Sequence, residues 1–252
     1  MSVLAVFNPA PASGKTTTAL GLLAGVAHAG RRPTALDLDP QAHLSQAFGV
    51  TSIDANESIV GFFAEDRPLA ELARFTRSGV VLVPAHPEQA RIGATIGKSL
   101  SAITRLRRAL AGSDAMLQPV IIDCARDVDS VTINALLAAH IVVVPVPCDE
   151  AALEGARQVE RTLDALGRVA RGRIPRRYVI IGYDKDEAHG RVAADRICTS
   201  FAEEDICVTR IGWAADPREP GSATACENIR GAAIPSDYIA LAKELVGSGF
   251  LD

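Results

Sequence analysis

Short apolar runs alternate with longer stretches of helical spacing along the chain, and this alternation constrains the fold more than any single motif. Runs of this kind are typical of strands that are buried on both faces of a parallel sheet. We predict strands at residues 3–8, 34–38, 80–83, 120–122, 141–144 and 178–181. We predict helices at residues 17–29, 132–139, 153–166, 189–201 and 236–246. The pattern therefore predicts an α/β fold, a doubly wound and mostly parallel sheet whose ligands bind at the carboxyl ends of the strands.

The length and composition favour one globular domain over residues 1–252. The chain is 48% hydrophobic and 22% charged, which suits a sizeable core. Its net charge of -4 argues against a wholly basic nucleic-acid protein but allows a local basic patch. The five cysteines include no Cys-x-x-Cys pair, so we expect a reducing cytoplasm and no zinc site. We also expect no signal peptide and no membrane span.

A phosphate-binding motif follows the first predicted strand. Gly14, Lys15 and Thr16 stand between this strand and a predicted helix, where unpaired backbone N–H groups attract phosphate. Lys15 would contact the β- and γ-phosphates, and the Thr16 hydroxyl would hold Mg²⁺. The candidate nucleotide-binding residues of this segment are Ala12, Ser13, Gly14, Lys15, Thr16 and Thr17. Taken alone, Gly-Lys-Thr is also compatible with a chance helix start.

The turn before this motif departs from the usual pattern. Pro9 stands where the strict motif has its first glycine, six residues before the lysine. Pro9 and Pro11 have fixed φ angles and no N–H to donate. We therefore expect a phosphate cradle that is stiffer and has fewer donors than usual.

Carboxylates stand at the ends of two other predicted strands. Asp37 and Asp39 end the second strand, and Asp123 follows Val120-Ile121-Ile122 in a Walker-B-like position. Because ligands in doubly wound folds bind at this edge, these residues are candidates for catalysis and for metal support. A helix cap or an ordinary loop residue is the alternative for each of them.

With these motifs in order, the chain resembles the ParA/MinD family of ATPases, and its ParA-like branch in particular. The matching segments are Asn8 with Gly14-Lys15-Thr16-Thr17-Thr18, Asp37-Leu38-Asp39-Pro40-Gln41, Val83-Pro84-Ala85, Ile121-Ile122-Asp123-Cys124, Ile133-Asn134-Ala135-Leu136, Val144-Pro145-Val146, Ala152-Leu153-Glu154-Gly155, Tyr183-Asp184 and the Asp216–Gly221 loop. Together they run nearly from end to end of the chain.

The resemblance implies a P-loop NTPase fold with ATP and Mg²⁺ as cofactors. Lys15, Asp39 and Asp123 would be catalytic, with Asp39 placing the attacking water, while Thr16 and Asp123 would support the metal and Asp216 would lie near the nucleotide. The family forms ATP-dependent homodimers that bind double-stranded DNA nonspecifically, and a ParB- or McdB-like adaptor stimulates hydrolysis. Such proteins partition or position a plasmid, a chromosome region or a compartment such as the carboxysome. They are cytoplasmic, associated with the nucleoid and not membrane-bound.

Departures from the family pattern leave an alternative open. The signature lysine of the family is replaced by Ala10, as it is in some McdA-type ATPases, and a Pro-Pro pair after Asp123 is replaced by Cys124-Ala125-Arg126-Asp127. Arg126 is our first candidate for a replacement cation that reaches the phosphates, and Lys98 and Lys185 are weaker ones. The alternative is a nucleotide-binding scaffold or regulator, for example of polysaccharide synthesis, that hydrolyses ATP weakly or not at all.

Two arginine-rich runs are candidates for sequence-independent DNA contact. Arg171, Arg173, Arg176 and Arg177 precede the last predicted strand, and Arg105, Arg107 and Arg108 form a second run. Arginine clusters of this kind bind phosphates in a salt-sensitive way. A solvated loop with no ligand is the other interpretation of the same pattern.

Overall fold

A computed structural model describes residues 2–97, 99–112, 119–149, 151–212, 236–247 and 249. The strands are β1 (Val3–Val6), β2 (Thr34–Leu38), β3 (Arg74–Phe75), β4 (Val81–Val83), β5 (Val120–Cys124), β6 (Ile141–Pro147) and β7 (Arg176–Ile181). The helices are α1 (Lys15–His28), α2 (His43–Ala47), α3 (Ile59–Glu65), α4 (Leu69–Leu72), α5 (Gln89–Thr95), α6 (Leu100–Ile103), α7 (Arg105–Ala111), α8 (Ser130–Ala138), α9 (Ala152–Ala170), α10 (Ala188–Ser200) and α11 (Ser236–Gly247). Short 3-10 turns occur at Ala55–Glu57 and Glu203–Asp205.

The strands form one seven-stranded sheet in the order β3-β4-β2-β5-β1-β6-β7. All neighbours are parallel except β3 and β4, which pair antiparallel at one edge. The predicted doubly wound, mostly parallel α/β fold is therefore confirmed. Strand β1 lies between β5 and β6, so the carboxyl ends of β5, β1 and β6 meet at the middle of one edge of the sheet.

All six predicted strands are present, and β7 begins two residues earlier than expected, at Arg176. The five predicted helices correspond to α1, α8, α9, α10 and α11. The sequence did not predict β3 or the helices α2 to α7, whose lengths of four to seven residues hold at most two helical turns. So few turns give no periodic pattern that stands out from a loop.

The sheet separates two apolar layers. Ala5 and Phe7 point into one layer with residues of α8 and α9, while Leu4 and Val6 point into the other with residues of α1 and α11. This alternation follows from the period of two along a strand, and burial on both faces explains why the strands read as continuous apolar runs. Among the described residues, no helix combines the length and the apolar character that crossing a membrane requires.

Candidate nucleotide site

The loop between β1 and α1 turns into the helix at a glycine that no other residue could replace without strain. Gly14 has φ +73°, and a Cβ at this position would lie 2.3 Å from Cδ1 of Ile181. Helix α1 begins directly afterwards at Lys15, so its free N–H groups face the loop. Ala12 also has a positive φ, of 52°, where glycine is usual. The predicted cradle residues Ser13, Gly14, Lys15, Thr16 and Thr17 thus stand at the start of a helix.

Neighbouring elements hold the loop in place. Asn8 donates from Nδ2 to the Pro145 carbonyl at 2.8 Å, and its Oδ1 accepts from the Ala10 N–H at 2.9 Å. Gly155 of α9 lies so close that a Cβ there would be 2.9 Å from the Ala10 Cβ. The Lys15 ammonium contacts the Ala10 carbonyl at 3.5 Å and Ser13 Oγ at 3.3 Å. The loop is therefore anchored by β6 and α9 on one side and by its own lysine on the other.

The sheet register brings the two strand-end carboxylates together. Asp37 of β2 is the direct neighbour of Asp123 on β5, and Asp123 is the neighbour of Val6 on β1. Both carboxylates are fully buried. They lie at the carboxyl edge of the sheet, where the loop that carries Lys15 leaves β1, as the fold rule predicts.

Asp123 has the environment of a cation ligand. Neither of its carboxylate oxygens accepts a well-formed hydrogen bond from a described residue. Burial raises the pKa of Asp123 well above its ordinary value and the nearby Asp37 raises it further, while the Thr16 hydroxyl and Lys15 act in the opposite direction. A buried carboxylate with unpaired oxygens is unfavourable unless a cation compensates it. Its oxygens and the Thr16 hydroxyl are ligands of the type that Mg²⁺ prefers, so these residues fit that ion.

The charges around Lys15 place Arg126 in its neighbourhood. Burial lowers the pKa of Lys15, the charges of Asp123 and Asp39 raise it, and Arg126 lowers it further. Arg126 follows β5, its side chain is 60% exposed, and its Nε lies 3.7 Å from Oδ1 of Asp127. The predicted cation therefore follows β5 at the carboxyl edge of the sheet, and its contact with Asp127 is exposed to solvent.

Asp37 organises the segment that follows β2. Its Oδ2 accepts from the N–H of Ser45 at 2.8 Å and from Ser45 Oγ at 2.6 Å, and its Oδ1 accepts from the N–H of Asp39 at 3.1 Å. Ser45 Oγ in turn accepts from the N–H of Ala85 at 3.0 Å. Burial raises the pKa of Asp37 to about 6. Sequence reasoning matched Asp37 but missed Ser45, because nothing in the local pattern separates this serine from any other helix residue.

The predicted DNA-contact run is only partly at the surface. Arg176 is 2% exposed, and its guanidinium contacts Oδ1 of Asp164 at 2.5 Å and the Glu160 carbonyl at 3.3 Å. Assigning Arg176 to DNA contact was therefore wrong, because a buried, ion-paired guanidinium cannot reach a phosphate. Arg173 pairs with Asp205, and Arg177 lies 3.8 Å from the same carboxylate. Arg171 is exposed at the end of α9.

The second arginine run is also divided between the interior and the surface. Arg105 pairs with Asp66 at 2.5 Å and lies 4.6 Å above the Phe62 ring, so it fastens α7 to α3. Arg107 and Arg108 are exposed on α7. Two other predicted residues, Asp216 of the nucleotide site and the alternative cation Lys98, lie outside the described residues. Lys185 precedes α10, and its carbonyl accepts from Arg191.

The chain is similar to known proteins in sequence and in fold. A sequence profile of the AAA domain family AAA_31 matches residues 1–174. The chromosome partitioning protein ParA of Myxococcus xanthus is 34% identical over 163 residues, which is 64% of this chain, and the chain spans 58% of that protein's length. The cobyrinic acid a,c-diamide synthase of Mycobacterium smegmatis, solved with ADP and magnesium, is 26% identical with a TM-score of 0.79 over 99% of this chain and 96% of its own. An ATP complex of a Cyanothece McdA variant gives a TM-score of 0.84 over 98% and 96% of the two chains at 14% identity, which is a likeness of fold.

Proposed function

Because the chain belongs to the ParA/MinD family of P-loop ATPases, we propose that it is an ATP-dependent switch that dimerises with ATP and then binds duplex DNA without sequence preference. Hydrolysis, stimulated by a ParB- or McdB-like adaptor, returns it to the free state. The output is the partitioning or positioning of a cargo on the nucleoid. The partitioning role of the Myxococcus xanthus relative supports this proposal.

The observation that carries the proposal is the group of charges around Lys15. This lysine stands at the first turn of α1, and Asp39 and Asp123 are close enough to stabilise its charged form. In the proposed site, Lys15 and the N–H groups of the loop bind the phosphates of ATP. Thr16 and the unpaired oxygens of Asp123 hold Mg²⁺, which would neutralise phosphate charge when bound. The Asp39 carboxylate, which is half-buried, orients the attacking water molecule in this proposed site.

The signature lysine of the family has no counterpart at Ala10, so a different cation must serve the phosphates in the proposed dimer. Arg126 is our candidate, because its charge already acts on Lys15 and its side chain is 60% exposed at the same edge. A guanidinium can hold two phosphate oxygens at once. Its contact with Asp127, at 3.7 Å, is weak enough to be exchanged for phosphate.

A second candidate function is a nucleotide-binding scaffold that hydrolyses ATP weakly or not at all. It is favoured by the loop itself, in which Pro9 and Pro11 remove two N–H donors and the Lys15 ammonium contacts the Ala10 carbonyl. The synthase from Mycobacterium smegmatis holds ADP and magnesium on a similar fold, which supports the same cofactors in either candidate.

ATP turnover by the purified protein separates the two candidates. We expect slow hydrolysis that Lys15→Ala abolishes through lost ATP binding, and that Asp39→Ala lowers by about a hundredfold or more with ATP binding retained. The Asp39→Ala protein should then bind nonspecific duplex DNA far more tightly with ATP than with ADP. Arg161→Ala, on the exposed face of α9, is the control for all three measurements. If the protein binds ATP but shows neither turnover nor ATP-dependent DNA binding, the scaffold is favoured instead.

A further inference from the structure

Helix α5 begins with a buried glutamine that contacts the end of β2. Gln89 is 2% exposed, and its Nε2 donates to the carbonyl of Leu38 at 2.5 Å. Leu38 is the last residue of β2, and Asp39 follows it directly. The side chain thus reaches, across 51 positions of sequence, the peptide that leads to the proposed water-orienting residue.

The peptide between Leu38 and Asp39 is held at both of its polar ends. Its carbonyl accepts from Gln89, and its N–H donates to Oδ1 of Asp37 at 3.1 Å. A peptide group is planar, so fixing its oxygen and its hydrogen fixes the direction in which the chain enters Asp39. The Asp39 carboxylate is joined to that backbone by two rotatable side-chain bonds, and its Oδ1 accepts from the N–H of Gln41 at 2.9 Å, so the clamp and this contact act together on its position.

Stability alone does not account for a glutamine at this position. The Oε1 of Gln89 is buried and has no hydrogen-bond partner among the described residues. The orientation of the amide is fixed, because the Leu38 carbonyl can only accept. A buried amide oxygen without a partner costs free energy, and this cost offsets what the bond to the Leu38 carbonyl contributes, since methionine or leucine would fill a similar volume and leave only that carbonyl without its donor.

The same helix also contacts the start of α8, beyond the loop that carries Arg126. A Cβ on Gly93 would lie 1.8 Å from Oδ2 of Asp129, and the Ile96 carbonyl accepts from Ser130 Oγ at 3.1 Å. Asp129 caps α8 by accepting from the N–H of Thr132 at 2.8 Å. Helix α5 therefore contacts both the segment of Asp39 and the segment that ends the Arg126 loop.

We propose that Gln89 is a positioning residue that fixes Asp39 for ATP hydrolysis through the Leu38–Asp39 peptide. The role rests on the proposed function, since it requires a hydrolytic reaction at this edge. Gln89 touches neither the phosphates nor the water in this arrangement, and acts only through the backbone of Asp39.

The test compares Gln89→Met with Gln158→Met, the same change on the exposed face of α9. We expect Gln89→Met to lower kcat by about ten- to a hundredfold, because small displacements of a reacting group have effects of this size. The Kd for ATP should stay within about twofold of wild type. The thermal midpoint should stay close to that of wild type, because removal of the unpaired Oε1 offsets the loss of the bond to the Leu38 carbonyl. Gln158→Met should match wild type in all three. Gln89→Leu, which fills the site with a different shape, should likewise lower kcat and leave the Kd for ATP close to that of wild type.

A double-mutant cycle shows whether the effect passes through Asp39. In the Asp39→Ala background, Gln89→Met should leave the residual turnover unchanged, because there is no carboxylate left to position. Any one of three outcomes would overturn the role. The first is an unchanged kcat in Gln89→Met, and the second is a loss of kcat that parallels a loss of thermal midpoint in both Gln89 variants. The third is a double-mutant cycle in which the two effects on kcat are additive. Absence of turnover in the wild-type protein would refute the proposed function and this role with it. Wild-type turnover that is undiminished in Gln89→Met would refute the role alone.

Discussion

Asp37 shows at the scale of one residue how the site is held together at a cost to stability. Its three accepted hydrogen bonds join β2 to α2 and, through Ser45, to the residue after Pro84. Burial nevertheless raises its pKa from 3.8 to about 6, so the hydrogen bonds do not fully compensate the loss of water. The folded state therefore favours the protonated form of the Asp37 carboxyl group.

This imbalance predicts a pH dependence of stability. Between about pH 4 and pH 6 the unfolded chain has lost the Asp37 proton while the folded chain keeps it, so the free energy of unfolding falls as pH rises. The contribution is on the order of 3 kcal/mol at 1.36 kcal/mol per pKa unit. Urea unfolding across this range should show a smaller fall for Asp37→Asn than for wild type. Asp54→Asn, at an exposed carboxylate, should follow wild type, and equal slopes in all three proteins would contradict the prediction.

The positions of single residues could be predicted from sequence where a local motif defines them. Gly14 and Lys15 stand at the start of α1 and Asp123 at the end of β5, as their motifs indicated. Ser45 and Gln89 could not be found in this way, because each is defined by a partner that only the folded chain brings near. The Arg176 prediction failed for the opposite reason: a run of like charges suggests a solvated loop, whereas Arg176 is buried and its partner Asp164 is twelve positions away.

At the scale of elements, the packing of α1 on α11 sets the position of the helix that begins with Lys15. Gly21 and Gly25 lie one turn apart on the face of α1 that meets α11. A Cβ on Gly25 would stand 2.7 Å from the Ala242 Cβ and 2.9 Å from the Tyr238 carbonyl oxygen. The periodic pattern predicted both helices, but it could not indicate that they touch through glycines.

Gly25→Ala should therefore destabilise the protein although alanine is the better helix former. We expect the free energy of unfolding to fall by about 1–3 kcal/mol from overpacking, against a gain of about 1 kcal/mol in helix propensity. Gly247→Ala is the matched control, because a Cβ at the end of α11 would meet no atom of the described residues within 4 Å. Urea denaturation followed by circular dichroism measures both. A Gly25→Ala protein as stable as Gly247→Ala would show that the two helices can separate without cost.

On the scale of the whole molecule, the candidate nucleotide and DNA surfaces lie at opposite edges of the sheet. Lys15, Asp39 and Asp123 are at the carboxyl ends of the strands, whereas Arg171 and Arg173 precede β7. The six residues of β7 separate the two edges by about 20 Å at about 3.3 Å per residue. In the proposed switch, bound ATP therefore cannot touch DNA held by these arginines, and we expect the nucleotide to control DNA binding by bringing two protomers together.

The salt dependence of DNA binding tests this consequence. If ATP acts by pairing two equal surfaces, the slope of log K against log salt should be about twice as steep with ATP as with ADP. Arg171→Ala should reduce the slope by about one unit for each phosphate contact it removes. Arg176→Ala should lower stability and leave the slope unchanged, because its guanidinium is buried against Asp164. Fluorescence anisotropy with a labelled duplex measures the slopes, with Arg161→Ala as the control. Equal slopes with the two nucleotides would mean that ATP does not act by doubling the surface.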